Sequence, residues 1–388
     1  MSAAIFSGLI GQEQAIAALE RALKPAPDGS GQEMTHAWLF TGPPGSGRSN
    51  IAKAFAAALV CKAGGCGECA DCNTALVGTH PDIELVDVNG LSIKIDEIRE
   101  IVTRSSWGAS VSKWRVVVIE DCDRMTEAAA NALLKALEEP GASTIWLLCA
   151  PTLHDVLPTI RSRCRHINLR TPTKSEISDY LQSNFDVSNN EAELAAEISQ
   201  GHVGKARRFL KDEETKSIRR SVFNLLFSVK TESDAIGAAS ELLKLAQERA
   251  ELRLTPILES ESEELRSVMQ SGSRGMVSGG ARALKDLEKD QKARTNRVIK
   301  DEIDGFLLDY TTFFRDCLAG DGPIINSDFK KQITETSLKL SEGSLNFLIS
   351  TLNQVRELLT TNVSQSLLLE SFFTQYARSI RGHQHPLP

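Results

Sequence analysis

The sequence predicts an α/β domain with a parallel sheet and a phosphate-binding loop, followed by an all-helical half. Three observations predict it. A glycine-rich loop, Gly42 to Ser49, stands between a short apolar run and an alanine-rich helical one. Further short apolar runs alternate with helical stretches as far as about Thr171. Beyond that point strand-like runs stop. Such alternation calls for a parallel sheet with helices on both faces.

The elements follow in order. Gly11 to Leu23 has helical periodicity. Ala37 to Phe40 reads as a strand entering the loop and Ser49 to Val60 as the helix leaving it, the context a P-loop requires. Asp82 to Val88, Arg115 to Ile119 and Thr144 to Ala150 read as buried strands. Thr126 to Glu139 is a strong helix, stopped by Pro140-Gly141. Ser175 to Asn184 and Asn190 to Ser199 read as short helices, Gly201 breaks the second, and Lys205 to Leu210 starts another. The expected domains are therefore 1–171 for the P-loop unit, 172–216 for a small helical lid, and 217–388 for the helical half. Ile257 to Asp290, rich in Glu, Ser, Gly and Lys, is expected to be partly a flexible loop, and the tail from Gly382 disordered.

A net charge of −7 argues against a protein that coats nucleic acid by bulk charge. No charged N-terminal region precedes an apolar stretch, and no apolar run approaches bilayer length, so a cytoplasmic protein is expected.

The loop reads Gly42-Pro43-Pro44-Gly45-Ser46-Gly47-Arg48-Ser49. It departs from the P-loop pattern only in Arg48, where the pattern has lysine. Its glycines can still bring N–H groups to a phosphate, and Ser49 stands where a magnesium ligand is expected. ATP or ADP with Mg2+ is therefore compatible with Gly42, Pro43, Gly45, Ser46, Gly47, Arg48 and Ser49, but lysine and arginine are not interchangeable at a crowded phosphate. The strand Val116 to Ile119 ends in Glu120 and Asp121. Beside a P-loop, one such carboxylate holds magnesium and the next orients the attacking water. Here the usual Asp-then-Glu order is reversed. A pair of acids is also common at any solvated strand end.

Four of eight cysteines cluster at Cys61, Cys66, Cys69 and Cys72. Overlapping C-x-x-C units with glycines between them place four thiolates on tight turns, the donor set of a closed structural zinc site. An iron–sulfur cluster, a redox pair or free thiols are the alternatives. Cys122, Cys149, Cys164 and Cys317 read as small core residues.

The stretch from Leu9 to Leu169 resembles the AAA+ domain of bacterial DNA polymerase III clamp-loader subunits. Five motifs carry the resemblance: Leu9 to Gln12, the P-loop, the four-cysteine insertion, Asn131 to Pro140, and Arg161-Ser-Arg-Cys164. It implies a zinc module at about 61–75, a helical lid and a C-terminal collar that oligomerises. Four departures set the chain towards the delta-prime type, which keeps the fold and loses the chemistry. They are Arg48, the reversed pair Glu120-Asp121, Pro151 at the first sensor with Thr152 adjacent, and Gly204 in place of the second sensor's arginine. All four touch γ-phosphate chemistry.

The resemblance further implies that Arg163 of the intact Ser-Arg-Cys motif reaches a neighbouring subunit's ATP. It also implies gamma/tau and delta subunits as partners in a hetero-pentamer that opens a sliding clamp and places it on primed DNA. DNA contact would be made to phosphates, and no independent catalysis or membrane contact is expected. Two other readings are an ATP-hydrolysing gamma/tau-type subunit with a variant loop, and a nucleotide-free scaffold. The helical half resembles the family only in being helical.

Overall fold

The computed structural model describes residues 3–24, 34–86, 92–271, 277–320, 322–361 and 363–382. The chain divides into two compact units, Met1–Leu210 and Lys211–Pro388.

The first unit is built on a five-stranded parallel sheet. Its strands are β1 (Ala37–Thr41), β2 (Ile83–Val86), β3 (Arg115–Ile119), β4 (Thr144–Ala150) and β5 (Arg165–Asn168), in the spatial order β2-β3-β4-β1-β5. The helix α1 (Glu13–Leu23) precedes β1, and the crossovers between successive strands carry α2 (Arg48–Val60), α3 (Ala70–Val77), α4 (Ile95–Ser105), α5 (Glu127–Glu138) and α6 (Pro158–Arg161). Every residue of β1 and β4 is buried, because helices cover both faces. Trp38, Phe40, Leu147 and Cys149 point to the α1–α2 side, where Phe55 packs edge-on against Trp38 with ring centroids 5.1 Å apart. Leu39, Val117, Ile119, Trp146 and Leu148 point to the α4–α5 side. The lid is α7 (Lys174–Asn184), α8 (Asn189–Ser199) and α9 (Val203–Lys211), around Ile177, Leu181, Ala195 and Phe209. Thr173 and Ser188 cap the first two through reciprocal bonds with Glu176 and Glu191. Gln200 and Gly201, both with positive φ, turn the chain into α9.

One expectation is corrected, and some elements are new. The strand expected over Asp82 to Val88 is shorter, and residues 87–91 lie outside the described ones. The helices α3, α4 and α6 and the strand β5 were not foreseen. β5 is a sheet edge with a single buried side chain, Ile167, so it lacks the apolar run that marks the other strands.

The second unit is helical: α10 (Glu213–Ser228), α11 (Glu232–Ser271), α12 (Val277–Leu318), α13 (Lys330–Lys339), α14 (Glu342–Leu359) and α15 (Gln365–Ile380). Its core is aromatic, with Phe223, Tyr310, Phe313, Phe314, Phe372 and Phe373 all fully buried. Buried Arg219 lies over the Phe223 ring and donates to Asn326 at 2.7 Å and to Asp328 at 3.2 Å, which compensates its charge. Of the stretch 257–290, expected to be partly a flexible loop, 257–271 and 277–290 are helical, and 272–276 lie outside the described residues. The Glu, Leu, Lys and Arg content favours helix. Pairing between α11 and α12 supports it: Arg294 binds Glu261 at 2.5 Å, and Gln291 donates to the Leu258 carbonyl at 3.0 Å. The tail expected to be disordered lies outside the described residues beyond 382.

Candidate functional site: a modified nucleotide cradle, an arginine outside it and a thiolate cluster

The P-loop leaves the end of β1, central enough in the sheet to be approached from α2, β3 and the lid. A Cβ on Gly42 would lie 2.6 Å from Ser46 Oγ and 2.7 Å from the Leu169 carbonyl oxygen, so only glycine fits. Gly45 and Gly47 have φ of +90° and +85°, the left-handed region. Gly42 N–H donates to the Pro151 carbonyl at 3.1 Å, and Ser46 N–H to that of Pro43 at 3.1 Å. Gln12 is buried, and its Nε2 donates to the carbonyls of Ser46 (3.2 Å) and Arg170 (2.7 Å). This gives the Leu9 to Gln12 motif a physical task, bracing the loop against the segment after β5.

Inside this frame, Arg48 folds back and donates to the Gly42 carbonyl. Glu120 is held by Lys53 of α2, with Nζ 2.6 Å from the carboxylate and both side chains about three-quarters buried. Asp121 lies 3.6 Å from Arg124. Ser49 sits in the first turn of α2. His202 of the lid lies against the loop: a Cβ on Gly45 would be 2.7 Å from its Cδ2 and 3.1 Å from its Nε2. Desolvation, then the cations Lys205, Arg208 and Arg48, hold the His202 imidazole below its ordinary range. Thr152 is bonded to Asp155 at 2.8 Å, capping a short turn, and nothing surrounds the Cβ position of Gly204 in α9. Neither Lys53 nor His202 was foreseen; only the fold brings them to the loop.

The cradle therefore fits a phosphate in its glycines and cations, but it does not fit magnesium at Glu120. An ion there would have to displace a paired ammonium, and this counts against the metal expected from sequence.

Arg163 stands apart. It follows α6 and donates to the Thr159 carbonyl (2.8 Å), to Ser162 Oγ (3.2 Å) and to Glu138 at the end of α5. These partners belong to α5 and α6, not to the P-loop, and the side chain is a third exposed. Arg161 donates to the Leu153 carbonyl at 3.2 Å, and Arg165 lies over the Trp38 ring.

Cys61 ends α2, Cys69 caps α3, and the four sulfurs of Cys61, Cys66, Cys69 and Cys72 lie within 4.8 Å of one another. Cys61 Sγ is 3.7 Å from those of Cys66 and Cys69, and Cys66 Sγ is 4.0 Å from that of Cys72. Four sulfurs about 2.3 Å from one tetrahedral zinc would be roughly 3.8 Å apart. The spacing fits a single ion, and a four-iron cluster would spread its thiolates further. Burial would raise the Cys61 thiol, but backbone groups of Cys66, Gly65 and Ala63 outweigh it and bring the thiol down to about 6, whereas burial and the neighbouring sulfurs push the Cys72 thiol well above its ordinary range. Gly64, Gly65 and Gly67 take positive φ to make the turns. Among the other cysteines, Cys122, Cys149 and Cys317 are buried and Cys164 is half-buried.

The family described as "DNA polymerase III, delta subunit" matches residues 11–173. The subunit delta' of Haemophilus influenzae is 34% identical over 207 residues, which cover 49% of this chain and 63% of that protein. Over this domain the chain is similar to the delta-prime subunits of DNA polymerase III. The Pseudomonas aeruginosa subunit delta' is 39% identical over 142 residues, 35% of this chain and 43% of that protein. The Bacillus subtilis subunit tau is 29% identical over 277 residues, 64% of this chain and 47% of its own length. The matches to the two delta' relatives thus span 43% to 63% of those proteins. No described helix is long and apolar enough to cross a membrane.

Proposed function

We propose that this chain is the delta-prime subunit of a bacterial DNA polymerase III clamp loader. It joins gamma/tau and delta subunits in a cytoplasmic five-membered ring that opens a sliding clamp and sets it on primed DNA. Its own cradle does not hydrolyse ATP, and its catalytic contribution is Arg163, offered in trans to the ATP of an adjacent subunit. Cys61, Cys66, Cys69 and Cys72 hold a structural Zn2+, and the second unit supplies the collar.

One contrast carries the reading. The loop that would bind this chain's own ATP has Arg48 bonded to Gly42 and Glu120 bonded to Lys53, whereas Arg163 lies on a partly exposed helix end away from that loop. A guanidinium supplied in trans stabilises charge on a transferring γ-phosphoryl, and its loss costs about 10³–10⁵ in rate where it has been removed. The similarity to a tau subunit keeps one competing reading in view, an ATP-hydrolysing gamma/tau-type subunit. ATPase turnover of the reconstituted loader separates the two. Arg163→Ala is expected to lower turnover by at least about a hundredfold at the affected site, with assembly intact, whereas Arg48→Ala should leave it unchanged. Unchanged turnover in Arg163→Ala, or turnover by this chain alone that Arg48→Ala abolishes, would overturn the proposal.

A further inference from the structure

We propose that the P-loop pocket of this chain takes a nucleoside di- or triphosphate without magnesium, the Lys53 ammonium on Glu120 standing where the metal would be. The inference concerns the chain's own cradle and does not rest on the Arg163 reading.

The cradle keeps the geometry for a phosphate. Gly42 and Gly45 leave no room for side chains, and the N-terminus of the thirteen-residue helix α2 opens directly from the loop. Ser46 is nine-tenths buried within it, and its Oγ has no hydrogen-bond partner among the described residues. A buried hydroxyl without a partner is costly unless something satisfies it, and a phosphate oxygen in the loop is an acceptor of the right kind.

The surrounding charge argues against a divalent ion. In a magnesium-dependent P-loop site, the metal neutralises β- and γ-oxygens and is held by the acidic end of a strand. Here that strand end is Glu120, and Lys53 already neutralises it at 2.6 Å, with the two side chains only 29% and 25% exposed. Removing Lys53 from Glu120 would leave a largely buried ammonium to find another anion. Lys205, Arg208 and Arg48 act together on the His202 ring that lies against Gly45. Adding magnesium to this group increases repulsion, whereas adding a polyphosphate relieves it. Arg48 needs only to exchange the neutral Gly42 carbonyl for a phosphate oxygen, a stronger acceptor for a guanidinium.

The test is equilibrium binding of a fluorescent ADP to the full chain, in EDTA and in millimolar magnesium. The expected wild-type result is measurable binding with the same affinity in both, within about twofold. In Lys53→Met, Glu120 is left facing the phosphates. Affinity in EDTA should fall about tenfold or more and be recovered by magnesium. Glu120→Gln, which removes the acid and keeps Lys53, should bind in EDTA at least as well as wild type. That arm guards against misfolding of Lys53→Met. The proposal is overturned if wild type binds no nucleotide in either buffer, if its affinity rises about tenfold with magnesium, or if Glu120→Gln loses binding in EDTA.

Discussion

Asp82 offers the sharpest test of how the first unit holds its irregular parts. It lies immediately before β2 and is fully buried. Its carboxylate accepts three backbone N–H groups, from Ser110 (2.5 Å), Val111 (2.9 Å) and Ser112 (2.7 Å). These bonds pin the connection between α4 and β3, on which Trp107 and Val111 are exposed. Burial alone would raise the Asp82 carboxyl, but the three donors outweigh it and bring its pKa from 3.8 to about 2. At about 1.4 kcal/mol per pH unit, that drop is worth about 2.5 kcal/mol of folding free energy. The folded-state pKa is depressed, so the contribution is complete above the unfolded value and fades as pH falls towards the folded one; about half should be gone by pH 3. Asp82→Asn keeps the size but sets an amide NH2 against N–H donors, so the expected loss at pH 7 is about 2–3 kcal/mol. All four tryptophans, Trp38, Trp107, Trp114 and Trp146, lie in this unit, so their fluorescence in a urea titration follows its unfolding alone. The midpoint should fall with an unchanged slope. A loss below about 0.5 kcal/mol, or a gap between wild type and variant as wide at pH 3 as at pH 7, would refute the reasoning.

Two further outcomes are expected. The purified protein should carry one zinc per chain by metal analysis. Cys72→Ser should lower that occupancy and the melting temperature of the first unit, because structural zinc binding is coupled to folding; equal zinc content in the variant would count against the site. The Arg163–Glu138 pair is partly exposed on both sides, so it should stabilise by no more than about 1 kcal/mol. In the assembled loader, Glu138→Gln should raise turnover by at most about fivefold by freeing the guanidinium, and a loss as large as that of Arg163→Ala would show that Glu138 has another task.

Much of the first unit was legible because β1, β3 and β4 are buried on both faces and so read as unbroken apolar runs. The P-loop and the cysteine cluster were legible because their residues are adjacent in sequence. What stayed hidden depends on neighbours supplied by the fold. β5 offers one buried residue, Ile167, and takes its place through pairing with β1. The helical stretches 257–271 and 277–290 were hidden by glycines and polar content, which the pairing of Arg294 with Glu261 outweighs. At the site, the sequence pointed to Arg48, Glu120 and Gly204 one at a time. That Lys53 would answer Glu120, and that His202 would rest on Gly45, required the crossover helix and the lid to be in place.

The retained glycines then need a reason in a chain proposed not to hydrolyse ATP, and the geometry supplies one besides ligand binding. Thr41 accepts the Leu169 N–H at 2.7 Å, and Gly42 lies so close to the Leu169 carbonyl that a Cβ would meet it at 2.7 Å. Gln12 bonds the loop at Ser46 and the chain after β5 at Arg170. The P-loop is thus one wall of the slot that seats β5, and β5 begins two residues after Arg163. A side chain at Gly42 would push on the far end of the strand that anchors the Ser162-Arg163 turn. The glycine that suits a phosphate therefore also serves the placing of Arg163, the arginine proposed to act in trans, and Arg48 can differ from the P-loop pattern while Gly42 stays fixed.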